Sequence, residues 1–357
     1  MKWLGRILLA VVLVLVLAGA WLGASLVRTF QNFPAEGVFV EVPRGARARQ
    51  IATLLESKGV VRNRWAFEAL CRWRSHRPLQ TGEYKFDRPQ TAFEVFETLA
   101  LGRVYQQALL VPEGKTMFEI AALVEQGGFA SRDDFLAAAR DVSLVRDLAP
   151  RARNLEGFLF PATYQFPRRT GAREIVAAMV RRFRNVWEKL PQPPSAPRRL
   201  TAGELVTLAS LVERETGVAE ERTVVAGVFY NSLQRGMPLE CDPTVIYALE
   251  LQGKYRGMLY RRDLRFASPY NTYRNRGLPP GPIANPGEAA LRATLHPAKT
   301  NYLFFVADAQ GGHLFSRTLR EHNANVARYR RLLSGNGAAR SRPGSSASRG
   351  LERSGDR

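Results

Sequence analysis

With 52 Lys and Arg against 32 Asp and Glu, this chain of 357 residues carries a formal charge of +20, so polyanionic neighbours are expected. The four histidines, His76, His296, His313 and His322, are scattered and the only cysteines are Cys71 and Cys241, which argues against a zinc site and leaves both a disulfide and two buried thiols open. The arginines are spread along the chain without an RNA-binding aromatic signature, and neither a GxSxG elbow nor a phosphate-cradling glycine loop occurs, so nucleic acid, serine hydrolysis and nucleotide binding are disfavoured.

The first predicted element is an apolar helix. Ile7 to Val27 carries no charge and follows Lys2 and Arg6; at about 1.5 Å per residue it can cross a hydrocarbon core of about 30 Å. This predicts a cytoplasmic N-terminus at 1–6 and an uncleaved anchor at 7–27, with the body of the chain beyond the cytoplasmic membrane. Small residues at Ala18 to Ala20 and Ala24 keep a cleaved signal peptide open. An exported chain of this charge is expected to meet anionic lipid headgroups or the acidic peptides and polymers of a cell wall.

Next comes an internal similarity. VPRGARARQIATLLESKG from Val42 and VPEGKTMFEIAALVEQGG from Val111 match at Val, Pro, Gly, Ile, Ala, Leu, Glu and Gly with an offset of 69. Each reads as a strand, a turn and an amphipathic helix closed by glycine, followed by a second helix near Trp65 to Cys71 or Phe135 to Ala139. Between the copies, Gly82 to Phe86 reads as a strand and Thr91 to Leu101 as a helix ended by Gly102. The pattern predicts a small LysM-like α+β module at 38–107, with the second copy leading into a larger region at 108–333. A duplicated packing unit and a glycan-binding unit both fit it.

A proline-rich connector, Leu190 to Pro197, precedes the stretch richest in chemistry. Thr201 and Glu204 predict a capping box opening a helix that Gly217 is expected to end. Leu205, Leu208, Ala209 and Val212 share its apolar face, Thr207, Ser210 and Arg214 the opposite one, and Glu213 and Glu215 flank the stripe with Arg214 pointing out between them. A carboxyl group held against apolar surface loses hydration and keeps its proton to higher pH, as a general acid requires. The plainer reading, that both glutamates cap backbone or pair with arginines, stays open, and the wheel does not choose between them. Glu220 and Glu221 begin a further helix with Val224, Val225, Val228 and Phe229 inward, ending at Arg235 and Gly236. Asp242 before Pro243 and Asn285 before Pro286 read as N-caps followed by first-turn prolines. Tyr302 to Ala307 and His313 to Ser316 predict a hairpin, Leu319 to Leu333 a closing helix, and 334–357 a disordered basic tail. With metal and nucleophile motifs missing, carboxylate chemistry remains, and glycosidic bond cleavage is its commonest hydrolytic or lytic use.

LEGFLFPATYQF at Leu155, LASLVERETG at Leu208, NSLQRGMPLECDPTVIYAL at Asn231, YNTY at Tyr270, GLPPGPIANPG at Gly277, LHPAKTNYLFFVAD at Leu295 and GGHLFS at Gly311, behind the anchor and the VPxG module, resemble the YceG-like family of membrane-bound endolytic murein transglycosylases. The resemblance spans about residues 1–333 and implies an α+β fold: a transmembrane helix, the LysM-like module, then a mixed α+β catalytic domain. It implies Glu213 as the catalytic acid, no cofactor and no metal, and cleavage of the MurNAc–GlcNAc bond of nascent peptidoglycan strands to leave 1,6-anhydro ends, beside penicillin-binding synthases at the outer face of the inner membrane. Glu156, Glu215, Asp242, Tyr270, Asn271 and Asn323 are candidate substrate-binding or supporting residues. Each has a plainer role open, such as a cap, an ion pair or a turn brace. Two departures stand out: Ala162 where the family commonly has aspartate, and Glu240 with Cys241 before DPT. A muramidase-type hydrolase and an anchored, non-enzymatic glycan-binding scaffold are the alternatives.

Overall fold

The computed structural model describes residues 2–168, 170–191, 200–308 and 310–339, and the expected connector and basic tail lie mostly outside them. These residues form a mixed α+β protein of two compact units, Met1–Gln107 with Gln165–Arg168, and Ala108–Tyr164 with Arg169–Arg357.

The first unit opens with helix α1 (Lys2–Val27), whose segment Leu9–Val27 is long and apolar enough to serve as a single-pass anchor or a signal sequence. Strand β1 (Val38–Val42), helices α2 (Ala48–Ser57) and α3 (Arg64–Trp73), strand β2 (Gly82–Phe86) and helix α4 (Ala92–Ala100) follow. β1 and β2 pair antiparallel from Val38 opposite Phe86 to Val42 opposite Gly82. Alternation sends Val40, Val42, Tyr84 and Phe86 to one face, where they meet Ile51, Leu55, Phe67, Leu70, Val95 and Phe96 in a core. Each of these larger apolar side chains contributes about 1.5–3 kcal/mol by leaving water. The helices are capped by short polar side chains: Asn63 accepts from the first-turn amides of α3, and Thr91 with Glu94 forms a capping box on α4.

The second unit contains β3 (Gln107–Val111), α5 (Met117–Gln126), α6 (Arg132–Ala138), β4 (Ala162–Phe166), α7 (Ala172–Trp187), α8 (Ala202–Glu215), α9 (Arg222–Gln234), α10 (Asp242–Glu250), α11 (Glu288–Leu295), β5 (Phe304–Ala307), β6 (His313–Ser316) and α12 (Leu319–Ala339). β3 pairs with β4, and β5 with β6 as an antiparallel hairpin. The duplicated segments fold alike. Each runs strand, turn, helix, with Gly45 and Gly114 at φ 75° and 74° in the turns and Gly59 and Gly128 both at 70° behind the helices. That left-handed conformation, costly for other residues, accounts for the glycines shared by both copies.

Helix α8 is the centre of this unit and packs against α9, α10 and α11. Its predicted polar face is not solvated: Thr207 and Ser210 are as buried as Leu208 and Val212. Their hydroxyls are satisfied locally, Thr207 donating to the Gly203 carbonyl oxygen at 2.8 Å and Ser210 to that of Thr207 at 2.7 Å. The helix ends at Thr216, which turns to extended backbone, and Gly217 does not take the left-handed conformation expected of it. Two expected caps also differ. Cys241, not Asp242, is the N-cap of α10, and Gly287, not Asn285, is the N-cap of α11. Glu220 and Glu221 form a short 3-10 turn before α9, and α12 continues past Leu333 to Ala339.

Candidate functional site

The last turn of α8 carries Glu213 into a setting built by distant segments. Its side chain is 6% exposed, with Arg222 Nη2 at the start of α9 lying 3.9 Å from Oε1. The Gly287 amide donates to Oε2 at 3.0 Å. Desolvation raises the pKa of Glu213 above the usual carboxylate range and the charge of Glu113 adds to the rise, while the Gly287 amide, Arg222 and Arg214 oppose it. Glu113 sits against Gly287: a Cβ built on that glycine would lie 1.9 Å from Glu113 Oε1. Glu113, Arg222, Glu288, Arg292 and His296 line an open groove of about 690 Å³.

A hydrogen-bonded knot holds this arrangement. Ser210 Oγ accepts from the Ile283 amide at 3.0 Å, tying α8 to the segment leading to Gly287. The Asn285 amide nitrogen donates to Glu156 Oε1 at 2.7 Å and to the Lys115 carbonyl oxygen at 2.9 Å, and its Oδ1 accepts from the Leu159 amide at 2.9 Å. Backbone pairing reinforces it, from the Gly114 amide to the Asn285 carbonyl oxygen at 2.9 Å and from the Asn285 amide to that of Lys115 at 3.0 Å. Arg214 is not simply turned outward; its Nη1 donates to the Gly114 carbonyl oxygen at 3.0 Å.

Glu156 lies inside this knot and is buried. Both its oxygens accept from the Met117 amide at 3.0 Å, at the N-terminus of α5, where a helix favours negative charge. Burial nevertheless dominates and pushes its pKa up to about 8. It braces the start of α5 and the Asn285 side chain. Glu215 points elsewhere, to the Cys241 thiol; desolvation takes its pKa to about 6, with Asp242 adding and the thiol, His313 and Arg214 opposing. Cys71 and Cys241 are both buried free thiols.

The remaining candidates do not converge on Glu213. Asp242 accepts from the Tyr273 hydroxyl at 2.6 Å. Asn271 is fully buried and spends its amide on a turn, donating to the carbonyl oxygens of Leu264 at 2.9 Å and Phe266 at 2.8 Å and accepting from the Tyr273 amide at 2.9 Å. Tyr270 packs its ring 5.1 Å from that of Tyr247, and Asn323 is exposed on α12. His296, in the groove lining, has its Nε2 3.0 Å from the Pro191 carbonyl oxygen. His313 fastens the β5–β6 hairpin to Glu221, with Nδ1 to Oε2 at 2.7 Å and its amide donating to Oε1 at 2.8 Å.

The sequence reading missed Glu113, Arg222, Asn285 as a brace, and Gly287. One signal was available for Glu113. The duplicated segments agree on Val, Pro and Gly around it but place Arg44 in the first copy where the second has Glu113, so the carboxylate is specific to the copy beside Glu213.

These features define an α+β protein with a desolvated carboxyl group beside an open groove, chemically suited to giving up a proton. The chain belongs to the YceG-like family, whose model matches residues 40–328. It is 33% identical over 332 residues to an endolytic murein transglycosylase of Bacillus subtilis (strain 168), covering 88% of this chain and 91% of that one. It is 31% identical to the endolytic murein transglycosylase of Streptococcus pneumoniae serotype 2, over 82% of this chain but only 58% of that longer protein. A crystal structure of a yceG-like protein from Listeria monocytogenes superposes with a TM-score of 0.53 at 31% identity, covering 82% of this chain and 99% of that one.

Proposed function

We propose that this protein is an endolytic peptidoglycan lytic transglycosylase with Glu213 as its acid, cleaving the MurNAc–GlcNAc bond of nascent strands to leave 1,6-anhydro-MurNAc ends and so terminating elongation. The observation that carries the reading is Glu213 itself, desolvated and with a raised pKa, one oxygen held by the Gly287 amide. Family membership and the names of the relatives support the substrate and the reaction class. Protonated Glu213 donates to the glycosidic oxygen as the bond to the anomeric carbon breaks. Its carboxylate then takes the proton of the muramyl 6-hydroxyl while that oxygen attacks the anomeric carbon. One residue serves twice because donation leaves it in the form the second step needs. Glu156 supports the site through Asn285, and Glu215 and Asp242 support the neighbouring turn.

The apolar α1 supports anchoring in the cytoplasmic membrane with the remainder on its outer side, where nascent strands and the penicillin-binding synthases that make them are found. The order β1, α2, α3, β2 supports a LysM-like, glycan-contacting role for 38–107, ahead of a catalytic region at 108–333. A muramidase-type hydrolase is the second reading, favoured by the additional carboxylate of Glu113.

The test is to incubate the full-length chain in detergent with un-crosslinked glycan strands, beside Glu213→Gln, and weigh the products. Anhydro ends from the wild type and a rate loss of about 100-fold or more in the variant are expected. Reducing ends, one water heavier, transfer the case to the hydrolase. Intact wild-type products support the scaffold, and near wild-type lysis by the variant removes Glu213 as the acid.

A further inference from the structure

We propose that Glu113 is a positioning residue of the acid site, whose negative charge keeps the proton on Glu213 until the glycosidic oxygen takes it and then draws a proton back from the 6-hydroxyl. The proposal rests on the reading of Glu213 as the acid. Its geometric basis is Gly287. The amide of that residue binds Glu213 Oε2 at 3.0 Å, and its Cα is in contact with the Glu113 carboxylate, where even a methyl group would fall 1.9 Å from Oε1. Two carboxylates are therefore gathered on one glycine, and Glu113 is exposed in the groove that Arg222 also lines.

The other charges around Glu213 act against its proton or largely cancel. Arg214 on its own helix and Arg222 on α9 favour the ionised form. On α11, Arg292 is paired with Glu288 at 2.6 Å, and His296 faces Pro191. Among these groups Glu113 is the one whose charge opposes ionisation of Glu213. A single carboxyl that must be acid and then base gains from such a neighbour in both steps. Before cleavage the neighbouring charge disfavours premature ionisation. After cleavage the two adjacent anions repel, which makes Glu213 a stronger base toward the 6-hydroxyl proton. No atom is exchanged with Glu113.

The experiment measures kcat/KM against pH for the full-length enzyme in detergent on un-crosslinked glycan strands, with anhydro ends as the readout. Because Glu213 must be protonated, wild-type activity falls on the alkaline side. In Glu113→Gln this limb is expected to move to lower pH by roughly half a unit or more, the effect of one like charge across a wet groove. Gly287→Ala provides a second route. Its methyl group displaces the flexible Glu113 carboxylate while the backbone amide and the charge remain, so its limb is expected to move in the same direction. The double variant is expected to move no further than Glu113→Gln alone. An alkaline limb in Glu113→Gln that superimposes on the wild type, whether the rate is unchanged or uniformly reduced, overturns the proposal and leaves the reading of Glu213 intact. No anhydro product from the wild type, or full activity in Glu213→Gln, overturns that reading and this proposal with it.

Discussion

Glu156 is a carboxyl group in a place where ionisation is costly. Its pKa of about 8 lies above the ordinary 4.5 because desolvation outweighs the donors of Met117 and Asn285. A carboxyl whose folded pKa is raised contributes its full stability below the unfolded value and loses it as pH rises through the folded one. The fold is thus expected to weaken from about pH 4.5 to about 8 through this residue. In Glu156→Gln the amide oxygen can accept the Met117 and Asn285 bonds, and no charge forms. Urea midpoints measured across this range should therefore fall less steeply in the variant than in the wild type; parallel slopes would show that Glu156 does not titrate there. The same residue shows the limit of a residue-by-residue reading. A glutamate in LEGFLF is equally consistent with substrate contact and with a brace, and only the encirclement by Met117, Asn285 and Tyr247 distinguishes them.

At the scale of elements, α9 illustrates how packing overrides propensity. Gly227 is a mid-helix glycine, which by itself costs about 1 kcal/mol relative to alanine, so replacement by alanine should stabilise an isolated helix. In the fold a Cβ there would lie 2.6 Å from the Ala298 carbonyl oxygen and 2.9 Å from the Thr300 methyl. The Ala298 amide also donates to the Thr223 carbonyl oxygen at 2.9 Å, so backbone is held against backbone. Gly227→Ala is expected to destabilise the protein by about 1–3 kcal/mol, read as a lower thermal midpoint. A raised midpoint would mean that the 296–300 segment yields without cost. Helix α8 teaches the complementary lesson: its start was legible because a capping box involves residues three apart, whereas its burial on every side was not, because α9, α10 and α11 come from elsewhere in the chain.

For the whole molecule, the charge of +20 makes long-range attraction to polyanions the main non-specific term. Such attraction is screened beyond about 10 Å at 0.1 M salt. Retention of the full-length protein on purified wall sacculi is expected to fall several-fold between about 0.05 and 0.5 M NaCl, equally for wild type and Glu213→Gln. Retention that ignores salt would point instead to neutral contacts with sugar. The strand-turn-helix duplication and the apolar N-terminal helix were readable from composition and periodicity, since each depends on residues near one another in the chain.

The sequence by itself determined most of the elements, though not β4 or α7, together with the repeated segment and the family, because caps, turns and hydrophobic periods are interactions within a few residues, and long motifs in order identify kinship. Only the tertiary structure decided that the Gly287 amide meets Glu213, that Glu113 shares that glycine, that Asn285 is a brace and that Asn271 is consumed by a turn. The physical reason is distance along the chain. Asn285 and Glu156 are 129 residues apart, Asn285 and Lys115 are 170 apart, and the desolvation that raises a carboxyl's pKa exists only once such segments have closed around it.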